Sequence, residues 1–291
     1  MTHTSDYLRL VKFSHTIFAM PFAMIGFVCG IRFGLTDTPA ASEWVLLLVQ
    51  VVACMVFARN VAMGFNRWAD RDIDKANPRT SGREIPAGVI SPAKALIFVA
   101  VNALLFVAAA ATINRLTAWL SPVALFVVMF YSLCKRFTAL AHIVLGAALG
   151  IAPAAAYIAV TGKFAALPFI LSLLVMTWCA GFDIIYAMQD ADFDRKNGLH
   201  SIPARLSARG ALGVSIALHV VSAAALVWFA SRLPQNWAVW TGCGIFIALL
   251  TLQHLLVTPT RQRNIGIAFG TLNGAASLVL AIFIIVGILI G

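Results

Sequence analysis

Nine apolar stretches, each long enough to cross about 30 Å of hydrocarbon, constrain this chain of 291 residues more than any other feature. They run approximately over 14–35, 43–66, 93–113, 117–134, 139–161, 166–188, 210–231, 237–257 and 265–289. The expected fold class is therefore all-α, a polytopic membrane protein of nine transmembrane helices. Composition points the same way: 61% of residues are hydrophobic and 11% charged, against roughly 25% charged in average soluble domains. The first run is long and has no convincing small-residue cleavage site, so it reads as the first spanning helix rather than a signal peptide. Connections between runs are short apart from one or two, and a single membrane domain is expected over 1–291.

The distribution of Lys and Arg sets the expected orientation. With the N-terminus inside, cytoplasmic segments hold sixteen of these residues and the opposite segments four, namely Arg32, Arg115, Lys163 and Arg232. The net charge of +10 is then mostly topology, and no nucleic-acid partner is needed to explain it. The protein is expected in the cytoplasmic membrane. Cys29, Cys54, Cys134, Cys179 and Cys243 fall in or at the ends of apolar runs without metal-ligand spacing, which favours buried thiols. Histidines are scattered, and His142 and His219 on apolar runs read as packed or hydrogen-bonded groups.

Two polar clusters interrupt this pattern, each at the cytoplasmic end of an apolar run. Residues four apart share a helix face, so Asn66, Asp70 and Asp74 form one row and Tyr186, Asp190 and Asp194 another. Asp72 and Asp192 point roughly the opposite way. Stacked carboxylates repel at this spacing, so such rows need cations. Hard oxygen ligands favour magnesium, which binds through a few carboxylates plus substrate phosphates. Two acidic rows in distant parts of the chain suggest one divided site.

Other polar residues gather around these rows. Arg59 lies seven residues before Asn66, on nearly the same face and about 10.5 Å deeper; an intramembrane arginine is functional by default, although a structural ion pair is the alternative. Asp183 precedes the second row and either helps to bind an aromatic substrate or the metal shell, or pairs with an inward cation, for which Arg59 is nearest in depth. Basic loops rich in Pro and Gly follow each row, over 75–88 and 195–205, and the recurrence of helix, acidic row and basic loop resembles a weak internal repeat. Lys135 and Arg136 end the fourth run, where phosphate contact and membrane anchoring are equally good readings. Ser14 and His15 sit at the cytoplasmic mouth of the first run. Gly26 and Gly30, with Gly146, Gly150 and Pro153, read as sites of close helix approach. Gly266, Gly270 and Gly274 read as a small-residue ridge on the ninth run, beside Asn273, which is suited to hydrogen bonds across helices. The last three runs are expected to form scaffold and a lipid-tail groove.

With Asn66-x3-Asp70-x3-Asp74 on the second helix and Asp190 and Asp194 on the sixth, the chain resembles the UbiA superfamily of intramembrane aromatic prenyltransferases over essentially its whole length. Arg79-Thr80, Arg83-x2-Pro86-x-Gly88 and Tyr186-Ala187-Met188-Gln189-Asp190 look most like the 4-hydroxybenzoate polyprenyltransferase branch. Gly198-Leu199-His200-Ser201-Ile202-Pro203 looks like a related subgroup found with menaquinone pathways. The resemblance implies transfer of a polyprenyl group from its diphosphate to an aromatic acid, in ubiquinone or menaquinone biosynthesis. It implies Asn66, Asp70 and Asp190 as catalytic residues, with Mg2+ held by these three together with Asp74 and Asp194. Diphosphate contacts are expected from Arg67, Arg71, Arg83, Lys135 and Lys196, and aromatic-substrate contacts from Arg59, Asp183 and Tyr186. A cation-coupled transporter is the alternative from another class, disfavoured because the acids lie at helix ends and not mid-membrane.

Overall fold

The computed structural model describes residues 4–11, 18–36 and 40–291. Ser14 and His15 lie outside the described residues. A short helix α1 (Thr4–Leu10) is followed by α2 (Met20–Cys29), which continues into a π-helical turn, Gly30–Gly34. Then come α3 (Ala41–Ala69), α4 (Arg71–Ala76), α5 (Pro92–Ala111), α6 (Arg115–Cys134), α7 (Ala141–Thr161) and α8 (Ala166–Ala187). The remainder comprises a 3-10 turn (Met188–Asp190), α9 (Ala191–Lys196), α10 (Ile202–Arg205), α11 (Ala208–Ala230), α12 (Trp237–Leu256), a π-helical turn (Ile267–Leu272) and α13 (Asn273–Ile290). Among the described residues, eight helices are long and apolar enough to cross a membrane, and Met20–Gly34 is a ninth, shorter apolar helix. Among the described residues the nine expected runs thus become nine helical segments, with no strand beyond an isolated bridge between Thr258 and Arg261.

Polar side chains decide where several helices begin. Asn114, Ser207 and Asn236 each accept a hydrogen bond from a backbone N–H three residues on, at 2.8, 3.2 and 3.2 Å, satisfying a donor that the first turn leaves free. Gly162, in the left-handed region at φ 64°, ends α7, a conformation that costs glycine nothing. Close packing follows small residues, as expected. A Cβ on Gly26 would lie 2.1 Å from the Pro153 carbonyl oxygen, and one on Gly146 would lie 2.1 Å from that of Met176, so these positions seat α2 on α7 and α7 on α8. The largest core cluster joins α2, α8, α11, α12 and α13 around Phe22, Trp178, Phe229 and Phe246.

The ninth run differs from expectation. Its start is π-helical, so Gly266, Gly270 and Gly274 do not form a regular ridge, and a Cβ on Gly266 or Gly270 would meet open space. Asn273 does hydrogen-bond across helices. It accepts from the Trp178 indole N–H (3.0 Å) and donates to Gln253 (3.1 Å) and to the Ala268 carbonyl (2.9 Å), holding the π-helical turn where backbone carbonyls lack their usual partners.

Candidate active site

Both acidic stretches adopt one local construction. A long helix leads to the first aspartate, α3 directly and α8 through the 3-10 turn Met188–Asp190; the aspartate's backbone leaves helical geometry (Asp70 φ −90°, ψ 8°; Asp190 φ −105°, ψ 2°), and a six-residue helix (α4 or α9) carries the second. The expected rows are bent at these points, not continuous. Four-residue spacing nonetheless survives in the first, because Asp70 N–H bonds Asn66 O at 2.9 Å and Asp74 N–H bonds Asp70 O at 2.7 Å. Facing follows the spacing too: the Asp72 and Asp192 side chains are 83% and 88% exposed, whereas Asp74 and Asp194 are buried.

Asn66, Asp70, Asp74, Asp190 and Asp194 line one cavity of about 230 Å3 together with Arg59, Arg67, Arg83, Lys135, Asp183 and Tyr186. In it each row acid holds a basic side chain. Arg136 donates to Asp70 at 3.0 Å, and the Asn66 amide donates to the other Asp70 oxygen, also at 3.0 Å. Arg83 spans both Asp74 oxygens at 2.6 and 2.8 Å. Arg79 forks onto Asp190, its Nε 2.8 Å from Oδ1 and its second nitrogen on Oδ2, while Asn77 donates to Asp190 Oδ1 at 3.0 Å. Asp194 accepts from Ser201 at 2.8 Å and lies 3.7 Å from Lys135 Nζ. Burial, partly offset by the Arg136 guanidinium, pushes the Asp70 carboxyl above its ordinary range. For Arg79 burial acts downward, but its bonds to Asp190 and Tyr186 outweigh it and the net shift is upward.

Two expected diphosphate contacts lie elsewhere. Arg71 does not line the cavity: it turns back onto the Trp68 carbonyl (3.0 Å) and ring and lies 3.5 Å from Asp72. Lys196 is exposed and likewise absent from the lining. Both sit on six-residue helices one or two positions from an inward aspartate, and the helical repeat turns them outward. Asp183 pairs not with Arg59 but with His142, whose Nδ1 lies 2.6 Å from Oδ2. Among the described residues, the buried Arg59 Nε has no hydrogen-bond partner.

Sequence reasoning gave no pairing role to Arg79, Asn77 or Ser201, and left Arg136 undecided. The first three belong to loops, where no periodicity reveals a side chain's direction; the available signal was the excess of cations beside each acidic row. Arg79 also donates to the Tyr186 hydroxyl at 3.0 Å and lies 5.3 Å from its ring centroid, which ties the 77–88 loop to the second row.

A second cavity of about 180 Å3 adjoins the first, sharing Arg59, Tyr131, Leu145 and Leu149 with it. Its walls are almost wholly apolar, contributed by α3, α5, α6 and α7, with Ala58, Ala62, Ala148, Ala152 and Ala155 leaving the space that larger side chains would fill. Apolar space beside the charged site is thus walled by α3, α5, α6 and α7.

Membrane-length helices surrounding a carboxylate-rich cavity with apolar space behind it define a polytopic intramembrane protein built around an internal, charge-lined site. Residues 19–278 match the UbiA prenyltransferase family, and the chain belongs to that family. It is 31% identical to a 4-hydroxybenzoate octaprenyltransferase of Ralstonia nicotianae, over 75% of this chain and 74% of that one. It is 30% identical to another from Cupriavidus pinatubonensis, over 79% and 82%. The apo structure of a UbiA homologue from Aeropyrum pernix K1 superimposes with a TM-score of 0.82 at 30% identity, covering 94% of this chain and 97% of that one. A UbiA homologue from Archaeoglobus fulgidus, bound to GPP and Mg2+, shares the fold at 20% identity with a TM-score of 0.71, covering 97% and 99%.

Proposed function

We propose that this prenyltransferase moves a polyprenyl group from its diphosphate to an aromatic acid of the 4-hydroxybenzoate type, in quinone biosynthesis, with the site open to the cytoplasmic side of the cytoplasmic membrane. The observation that carries the reading is the adjacency of a cavity lined by five carboxylates and several basic side chains to an apolar cavity, with Arg59 at the junction. An anionic head and a hydrocarbon tail in one molecule match that pair of environments. The curated relatives named above are 4-hydroxybenzoate octaprenyltransferases, and the concentration of Lys and Arg at the acidic end supports its cytoplasmic placement.

Among the described residues no three acids, histidines or cysteines converge into a ready-made metal cage. Magnesium does not require one, since it binds through one or two carboxylates plus substrate phosphates, and the oxygen donors of Asn66, Asp70 and Asp74 on one side and Asp190 and Asp194 on the other suit it. Bound there, it supplies electrostatic stabilisation of the diphosphate's developing charge. Arg79, Arg83, Lys135 and Arg136 carry mobile positive charge from carboxylate to phosphate oxygens, and Arg67 lines the same cavity. The apolar cavity receives the tail and excludes water from the allylic cation left when the C–O bond breaks. Arg59 holds the acceptor's carboxylate in a bidentate pair, beside Tyr186 and Asp183.

The direct test is to incubate membranes containing the protein with radiolabelled polyprenyl diphosphate and a panel of mono- and bicyclic phenolic acids. Label is expected in a prenylated aromatic acid. Its absence with every acceptor overturns the reading.

A further inference from the structure

Of the five carboxylates in the charged cavity, one has a partner of a different kind. Asp70, Asp74, Asp190 and Asp194 face Arg or Lys; Asp183 faces the imidazole of His142. The ring is fully buried, and its other nitrogen, Nε2, lies 3.4 Å from the backbone N of Ile202. A backbone N–H can only donate, so Nε2 accepts. In the neutral ring the proton then sits on Nδ1 and points at Asp183 Oδ2. Held from behind by that N–H, the Asp183 side chain keeps 21% of its surface exposed and lines the cavity.

Depth adds a second argument. Asp183 precedes Asp190 by seven residues, the interval that separates Arg59 from Asn66. Arg59 therefore lies about 10 Å below Asn66, and Asp183 lies one turn below Tyr186 and about 10 Å below Asp190, so both sit deeper than the rows they precede. Arg59 and Asp183 form a deeper layer in which positive charge suits the acceptor's carboxylate and an oriented carboxylate is paired, among the described residues, with an imidazole and not with Lys or Arg.

We infer that Asp183 is the base that removes the proton from the acceptor ring, and that His142 is a positioning residue that fixes its carboxylate. The inference rests on the prenyl transfer proposed above. In that reaction the donor's C–O bond breaks with its electron pair leaving on the diphosphate, and ring π electrons form the new C–C bond. The C–H bond at the same ring carbon then breaks; its electrons restore aromaticity and its proton passes to an Asp183 oxygen, from which water takes it after product release. A positioned base of this kind contributes about 10²–10⁴-fold.

The test uses membranes containing the full chain, radiolabelled polyprenyl diphosphate, and 4-hydroxybenzoate with or without deuterium on the ring, with diphosphate release and prenylated product measured separately. Asp183→Asn is expected to form product at least about 10²-fold more slowly while still releasing diphosphate. Its remaining product formation should show a primary isotope effect that the parent lacks. His142→Ala should show the same isotope effect with a smaller loss, and His142→Asn, whose amide N–H replaces Nδ1–H toward Asp183, should recover the parent's behaviour. Equal loss of diphosphate release and product in Asp183→Asn overturns the role, as does the lack of an isotope effect in both Asp183→Asn and His142→Ala. If Asp183→Asn does not accumulate, His142→Ala carries the isotope measurement alone. A parent that makes no product with any acceptor defeats the transfer reaction itself, a distinguishable result.

Discussion

Replacing Arg59 by methionine should stabilise the protein while removing its grip on the aromatic acid. Arg59 sits within α3 with a buried Nε that has no hydrogen-bond partner among the described residues, and it lies between two cavities, one of them apolar. Placing an arginine at the centre of a membrane helix costs about 2.5–3.5 kcal/mol on insertion scales. Because its guanidinium also lines the charged cavity, a fraction of that, about 1–2 kcal/mol, should be recovered in Arg59→Met, whose side chain keeps the apolar stem. Binding runs the other way. Two charge-assisted hydrogen bonds to a carboxylate contribute about 1.5–3 kcal/mol each, so losing both lowers kcat/KM for the acid by about 10²–10⁴-fold. Arg59→Lys keeps the charge but not the fork and should lose about tenfold or more, mostly in the acceptor's KM. Thermal midpoints in detergent and separate KM values for acid and prenyl diphosphate provide the readouts. A lower midpoint for Arg59→Met, or donor and acceptor KM values moving by the same factor, would refute the argument and make Arg59 a structural group.

The remaining expectations concern the acids, the metal and the topology. Asp70→Ala and Asp190→Ala should abolish transfer with membrane insertion intact, whereas Asp72→Ala and Asp192→Ala should retain most activity, because their carboxylates are 83% and 88% exposed; comparable losses at Asp70 and Asp72 would contradict the facing. EDTA-treated membranes should lose turnover and regain it with magnesium, and undiminished turnover in chelator would remove the metal from the mechanism. Cysteines placed at the exposed Ser81 and Asn197 should resist an impermeant thiol reagent added to intact cells. Labelling of either from outside would invert the orientation.

Helical periodicity made much of this site legible, and its limits explain what was missed. Asn66, Asp70 and Asp74 share a cavity because each lies one turn beyond the last, a relation that holds even where α3 breaks at Asp70. The same repeat turns Arg71 and Lys196 away from the inward aspartates beside them; they were expected at the diphosphate from the family resemblance and not from their facing. Arg79 was invisible for another reason: its direction comes from a loop, and its partner Asp190 is 111 residues away. His142 illustrates a third limit. A lone histidine on an apolar helix reads as a packed group, and only the crossing of α7 and α8, which small residues at Gly146 and Gly150 bring close, puts it beside Asp183. The apolar cavity was not legible because every helix here is apolar; what distinguishes its wall is a set of alanines on α3 and α7, a pattern that also serves close packing.

The pairing of every row acid with a cation bears on how four such carboxylates can share one cavity. Four carboxylates gathered in a partly desolvated cavity repel one another, and each would be costly to bury alone. Arg136, Arg83, Arg79 and Lys135 neutralise them one for one. On the proposed reading the donor's diphosphate competes for these same cations, so the guanidinium groups exchange one set of oxygen acceptors for another instead of being desolvated afresh. Arg79 and Arg83 lie four residues apart in the loop after α4, and both of their partners are inward acids. Turning them toward phosphate therefore moves one loop and frees an acid in each of the two halves. The loop after α4 thereby links the two halves, since its Arg79 and Arg83 hold one inward acid from each and are, on the same reading, the groups a diphosphate recruits.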